Sequence, residues 1–171
     1  MEIDISKIKV DKLSKYHKLD LFDCDDMDIN EFLIKDAWCW QEKKIATTTI
    51  FIYDEEVIGF FTASCDAIKL KEDEKADHDL SKSIKEFPAI KIGRLGVDKR
   101  YQSKGLGTLI LKFAIGYILE CSEKIAVRFI TVDAYPEKEE WYKKCGFIPN
   151  LEHKSRTRTI SLRYDLFNTT I

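Results

Sequence analysis

Residues 92–111 read IGRLGVDKRYQSKGLGTLIL, an apolar β-like run that ends in a charged turn and enters a long apolar helical pattern through two glycines. A strand, a glycine turn and a helix in direct succession are the opening of a strand–helix–strand unit, and such units favour parallel pairing of their two strands. Gly105 and Gly107 stand at the helix entrance, where glycine costs backbone entropy. The return is chemical. The first N–H groups of a helix lack intrahelical partners, and the helix dipole adds positive potential there. Glycine lets a bulky anion approach, so the turn suits a phosphate or pyrophosphate, with Lys104 and Arg100 adding charge. A purely structural turn is the alternative. The common phosphate-loop patterns are not met: GxxxxGK[ST] is absent, and GxGxxG would need glycine where Ile110 stands.

The rest of the chain extends this unit. EIDISKIKV alternates weakly and reads as an edge strand, and CDDMDINEFLIKDAWCWQEKK as a helix starting near Asp26 or Asp28, with acidic residues at its positive end. ATTTIFIYDEEVIGFFTASCDAIKL reads as two strands around DEE. KEDEKADHDLSKSIKE is an exposed, charged connection with a short helix. FPAIKIGRLGV is a strand, KGLGTLILKFAIGYILECSEK a helix, and VRFITVDAY a buried strand. Pro136 opens a helix over EKEEWYKKCGF that Gly146 closes, and TRTISLRYDLF completes the sheet. The expected fold is mixed α/β over a single domain, 1–171.

Composition excludes several classes. Hydrophobic residues are 44% and charged residues 34% of the chain, a globular balance. The net charge of −2 and pI near 6.0 do not advertise nucleic-acid binding by bulk charge. Acidic residues crowd Asp20–Asp36 and basic ones the segment around Arg94–Lys104, with Lys154, Arg156, Arg158 and Arg163 near the C-terminus; ordinary solvated faces are the simple account. The five cysteines show no CxxC pair and the three histidines no cluster, so no metal site is expected, and the thiols read as reduced and mostly buried. The N-terminus lacks signal-peptide features and no apolar run spans a bilayer, which leads to a cytoplasmic expectation.

Gln102-Ser103-Lys104-Gly105-Leu106-Gly107 resembles the Q/R-x-x-G-x-G/A motif of GNAT acetyltransferases, and WYKKCGF resembles their aromatic-Tyr-x-x-x-Gly-Phe ending. The resemblance runs through most of the chain. It implies a central mixed, largely antiparallel sheet with a splayed parallel strand pair, flanked by helices. It implies acetyl-CoA as cosubstrate, with its pyrophosphate on Gln102, Ser103, Lys104, Gly105, Leu106, Gly107 and Thr108 and its pantetheine arm on the backbone of Leu95 and Val97. Gly96 would mark a bulge that opens the strand pair, or else a packing glycine. Tyr142 would protonate the departing CoA thiolate. Asp98 reads as an exposed turn residue, Glu55 and Glu56 as hairpin residues, and Asp133 has no assigned role. Ala134, Tyr135 and Pro136 stand where many family members carry asparagine, so no CoA contact is implied there.

The expected reaction moves an acetyl group from acetyl-CoA directly to a primary amine of a small molecule or protein. FDCDD, NEFLIKDA and VDAYPEKEEWYKKCGF also look like the GNAT toxins of bacterial toxin–antitoxin pairs. That likeness implies acetylation of aminoacyl-tRNA and an antitoxin protein as partner, with Arg94, Arg156 and Arg158 as local cationic contacts. A non-catalytic CoA-binding module and a homodimer stay open; no membrane and no metal are implied.

Overall fold

The computed structural model of the chain describes residues 3–77, 83–150 and 158–168. Seven strands form a sheet of order β1-β2-β3-β4-β5-β7-β6, largely antiparallel with β4 and β5 parallel, and helices flank it. The chain divides into two compact units, Met1–Ser64 with Ile92–Ala114, and Cys65–Lys91 with Ile115–Ile171.

The first unit holds β1 (Lys9–Lys12), β2 (Thr47–Tyr53), the first part of β3 (Glu56–Ile68), the last part of β4 (Phe87–Val97) and the start of α4 (Leu106–Ser122). β1 lies antiparallel to β2 with Val10 opposite Phe51. The expected N-terminal strand starts late. Asp4 accepts from the Ser6 amide (3.1 Å) and hydroxyl (2.6 Å), and this local closure makes a 3₁₀ turn at Ile5–Lys7 before β1 begins. β2 and β3 join through Asp54 (φ 48°) and Glu55 (φ 65°), both in the left-handed region that tight hairpins require.

The N-terminal helix appears as expected, capped by Asp26, whose carboxylate accepts from the Ile29 amide (3.1 Å). It runs through α1 (Met27–Glu31), a π-helical turn at Phe32–Asp36 and α2 (Ala37–Glu42). Its apolar face buries Phe32, Leu33 and Ala37 against Leu13, Phe22, Ile50, Val57 and Phe60.

The second unit holds the end of β3, α3 (Glu72–Asp77), the start of β4, the rest of α4, β5 (Phe129–Ala134), α5 (Glu139–Lys144), β6 (Ile148–Pro149) and β7 (Ile160–Asp165). β5 pairs antiparallel with β7, with Thr131 opposite Arg163. Ile68, Leu70, Phe87, Ala89 and Phe129 form one buried apolar cluster in it.

The charged connection after β3 is not simply exposed. Glu74 and Lys75 are buried, because Arg163 donates to the Glu74 carboxylate and Lys75 to Glu72 (2.9 Å). Buried charge persists only where it is paired. Asp133, left without a role, pairs with Lys91. The cysteines are free, but only Cys24 is buried; Cys39 and Cys65 are exposed, and Cys121 and Cys145 half-buried. The expectation of mostly buried thiols is therefore corrected.

Candidate active site

The glycine loop follows directly from the end of β4. Asp98, the first residue after that strand, is 1% exposed, which corrects the reading of it as an exposed turn residue. Its amide donates to the Ile58 carbonyl (2.9 Å). Its carboxylate accepts from the Arg100 amide (3.0 Å), Arg100 Nε (2.8 Å) and the Asp23 amide (3.3 Å). Burial pushes this carboxyl up, but the hydrogen bonds from Arg100 outweigh burial and hold it below its ordinary value. Arg100 reaches on to Glu56 (2.7 Å), so its charge is neutralised within the protein and is not offered to a ligand.

The acidic stretch near the N-terminus braces the same loop. Lys99 donates from Nζ to Asp23 (2.7 Å) and from its amide to the Asp23 carbonyl (2.7 Å). The Lys99 hydrogen bond holds the Asp23 carboxyl down at about 2. Asn30 donates to Asp23 (2.8 Å) and accepts from the Cys24 amide (2.9 Å). Sequence spacing gave no sign of these partners, which lie 75 residues or more from the loop in the case of Asp23. A run of aspartates reads as a solvated face until its partner is known.

Gln102 donates from Nε2 to the Val97 carbonyl and to the Cys24 carbonyl, both at 2.9 Å. Ser103 (φ 59°) and Gly105 (φ 81°) both take left-handed backbone, and a β-carbon built on Gly105 meets nothing within 4 Å. Glycine is therefore set there by conformation, and the space beside it is open. Lys104 turns back, donating from Nζ to the Arg100 carbonyl (2.8 Å). α4 begins at Leu106, and its first recorded turn closes with the Leu109 amide on the Gly105 carbonyl (3.1 Å). Leu95, Val97 and the run Gln102–Thr108 thus fall together in the first unit.

Gly96 has a packing reason. A β-carbon there would come within 2.7 Å of the Phe60 ring and 3.1 Å of Ile29. Arg94, one strand position pair away, lays its guanidinium 3.8 Å from the Phe32 ring centre and 5.2 Å from that of Trp40, and its amide donates to the Thr62 hydroxyl (3.0 Å).

Tyr142 lies in the second unit, on α5, which follows the 3₁₀ turn Pro136–Lys138. Gly146 (φ 93°) ends that helix, and a side chain there would strike Tyr164 at 2.9 Å. The Tyr142 ring is buried between Trp141 and Phe147, with centroids at 4.7 and 5.3 Å. Burial, with a smaller contribution from Cys145, pushes its phenol up to about 12, so it holds its proton firmly. Arg158 is exposed, and Arg156 lies outside the described residues. Among the described residues no group of acids, histidines and cysteines could hold a metal ion, and no helix is long and apolar enough to cross a membrane.

The profile described as Acetyltransferase (GNAT) domain matches residues 46–149. The chain belongs to the GNAT acetyltransferase family. As a GNAT enzyme it is an acyltransferase that uses acetyl-CoA. Solved structures with the same fold include AtaT complexed with acetyl-methionyl-tRNAfMet, 21% identical with a TM-score of 0.80, covering 92% of this chain and 94% of that one. A tyrosine-to-phenylalanine mutant of KacT is 18% identical with a TM-score of 0.82, over 94% and 96% of the two chains. An AtaT mutant toxin bound to the C-terminus of the antitoxin AtaR and to acetyl-CoA is 20% identical with a TM-score of 0.75, over 94% of each.

Proposed function

We propose that this GNAT enzyme is the toxin of a toxin–antitoxin pair, transferring acetyl from acetyl-CoA to the α-amine of an aminoacyl-tRNA. The observation that carries the reading is the match to AtaT across more than nine-tenths of both chains, since AtaT is seen with acetylated methionyl-tRNA. An antitoxin protein, as AtaR is for AtaT, is then the expected protein partner. The family match at 46–149 draws on segments of both units, which supports one catalytic domain over 1–171. Cytoplasmic placement accords with the free cysteines and with where acetyl-CoA and charged tRNA are found.

The roles follow from the residues. The N–H groups that open α4, with Gln102, Ser103, Lys104, Gly105, Leu106, Gly107 and Thr108 around them, hold the pyrophosphate. Backbone of Leu95 and Val97 takes the pantetheine amides, as a strand edge takes a peptide. The neutral amine attacks the thioester carbonyl, whose oxygen is polarised by backbone N–H near Val97. As the tetrahedral intermediate collapses, the C–S bond breaks and Tyr142 gives its proton to the sulfur. The new amide nitrogen loses its proton to water, and Tyr142 is reprotonated from solvent. The α-amine of an aminoacyl ester is a weak base, so a neutral fraction exists without a dedicated general base. Arg94, Arg156 and Arg158 are the cationic contacts for tRNA.

A second reading, acetylation of an amine on a small molecule or protein, is favoured by the net charge of −2, which does not draw a polyanion. Acetyl-CoA turnover against a panel of amines separates the two. Acetylated aminoacyl-tRNA as the preferred product is expected. Turnover of small or protein amines with none on aminoacyl-tRNA would overturn the toxin reading.

A further inference from the structure

α5 (Glu139–Lys144) has six residues. A helix that short does not hold its own position, so the place of Tyr142 is set by what α5 packs against. The chain after the helix ties back onto Tyr142 itself, whose carbonyl accepts from the Cys145 amide (2.9 Å) and the Phe147 amide (3.1 Å). Gly146, between those two donors, presents bare backbone to Tyr164 of β7. The Tyr164 ring fills the space a Gly146 side chain would need, with Cε2 2.9 Å from a β-carbon built there. The same ring stands 5.3 Å from that of Phe147, and Phe147 stands 5.3 Å from Tyr142. Phe147 is buried, and Tyr164 belongs to the sheet, where it lies opposite Ile130 of β5. All these residues lie in the second unit.

We infer that Tyr164 is a positioning residue for the general acid, its ring carrying the place of β7 to Tyr142 by two routes. The inference rests on Tyr142 being that acid. One route runs through side chains, from Tyr164 to the Phe147 ring and on to the Tyr142 ring. The other runs through backbone, from Tyr164 to Gly146 and the donors on either side of it, which hold the Tyr142 carbonyl. Side chain and main chain of Tyr142 are thus both referred to one ring on the sheet. A proton passes to the sulfur only when the hydroxyl lies within hydrogen-bond reach of it, so a small displacement of α5 costs rate. The residues assigned to acetyl-CoA lie in the first unit, so its binding does not draw on this row of rings. The role uses the Tyr164 ring and not its hydroxyl.

Steady-state kinetics of the full chain, with the preferred amine of the panel above, test this. Tyr164→Leu should lower kcat about 10–100-fold, the cost of misplacing an acid by about 1 Å, with KM for acetyl-CoA unchanged. Tyr164→Phe keeps the ring and should keep kcat. In a Tyr142→Phe background, adding Tyr164→Leu should lower kcat by less than about twofold, because no acid is left to misplace. Melting temperatures of all four proteins give the folded fraction for which the rates are corrected. Should Tyr164→Leu fail to fold, Tyr164→Met keeps the volume without the rigid ring and carries the same expectation in both backgrounds. Loss by the same factor in both backgrounds marks a merely structural role and overturns the inference. Wild-type kcat in the Tyr164 variant overturns it too. If Tyr142→Phe itself spares kcat, the acid is wrongly assigned and the inference falls with it. If Tyr142→Phe lowers kcat and Tyr164→Leu does not, the positioning alone is wrong.

Discussion

The carboxamide of Gln102 donates to the carbonyl of Val97 at 2.9 Å. The loop assigned to the pyrophosphate is thus tied to the end of the strand assigned to the pantetheine arm. The same amide nitrogen also reaches the Cys24 carbonyl, so one side chain fixes three segments. Gln102→Ala should raise KM for acetyl-CoA about tenfold with little change in kcat, since a lost hydrogen bond of about 1.4 kcal/mol acts on binding. Steady-state kinetics check this, and an equal fall in kcat would point instead to a role in the chemical step.

Gly105 and Gly96 should respond differently to alanine. Gly105 needs left-handed backbone but has room, so Gly105→Ala should cost about 1 kcal/mol of stability through conformation alone. At Gly96 the added carbon would meet Phe60 and Ile29, and overpacking should cost about 1–3 kcal/mol. Urea denaturation of the two variants measures the order.

Acid should loosen the loop. The folded pKa of Asp98 lies below its unfolded value, so its contribution is present above about pH 4 and is lost as pH falls through the folded value. Asp23, held at about 2, acts with the same sign, its contribution lost as pH falls toward that value. Asp98→Asn should lower stability at pH 7 by about 1–3 kcal/mol. It should also flatten the decline below about pH 4 in thermal melts. An unchanged acid limb would mean that other carboxylates govern it.

If tRNA is the acceptor, Arg158→Glu and Arg156→Glu should slow acetylation of aminoacyl-tRNA and spare a small amine. Binding should weaken steeply with salt as counterions are released. Filter binding from low to high salt reads the slope, and a flat slope counts against a nucleic-acid substrate.

Tyr142→Phe removes one oxygen and keeps the ring between Trp141 and Phe147. CoA affinity should hold while kcat falls about 10²–10⁴-fold, the usual worth of a placed general acid. With the phenol pushed up to about 12, wild-type kcat should show no fall assignable to Tyr142 between about pH 8 and pH 10. A variant with near-normal kcat would make Tyr142 a packing residue.

Features that depend on neighbours along the chain are legible in the residues alone. Asp26 caps its helix because the donor it satisfies is three residues on. Gly146 ends its helix as its place after a helical run suggests, because glycine takes the left-handed backbone of that position at no steric cost. The two short motifs, each local, carried the family. What depends on contact across the fold had no such trace. Asp98 looks like any turn aspartate until Ile58, Asp23 and Arg100 enclose it. Glu74 belongs to a charged run that reads as solvated, yet Arg163, 89 residues later, buries it. Gly96 was open between a bulge and close packing, and the Phe60 ring supplied the packing reason. Burial and ion pairing are properties of position in space. Local spacing encodes hydrogen bonds within a turn or two, whereas the partner that makes a buried charge tolerable is chosen only when the strands come together.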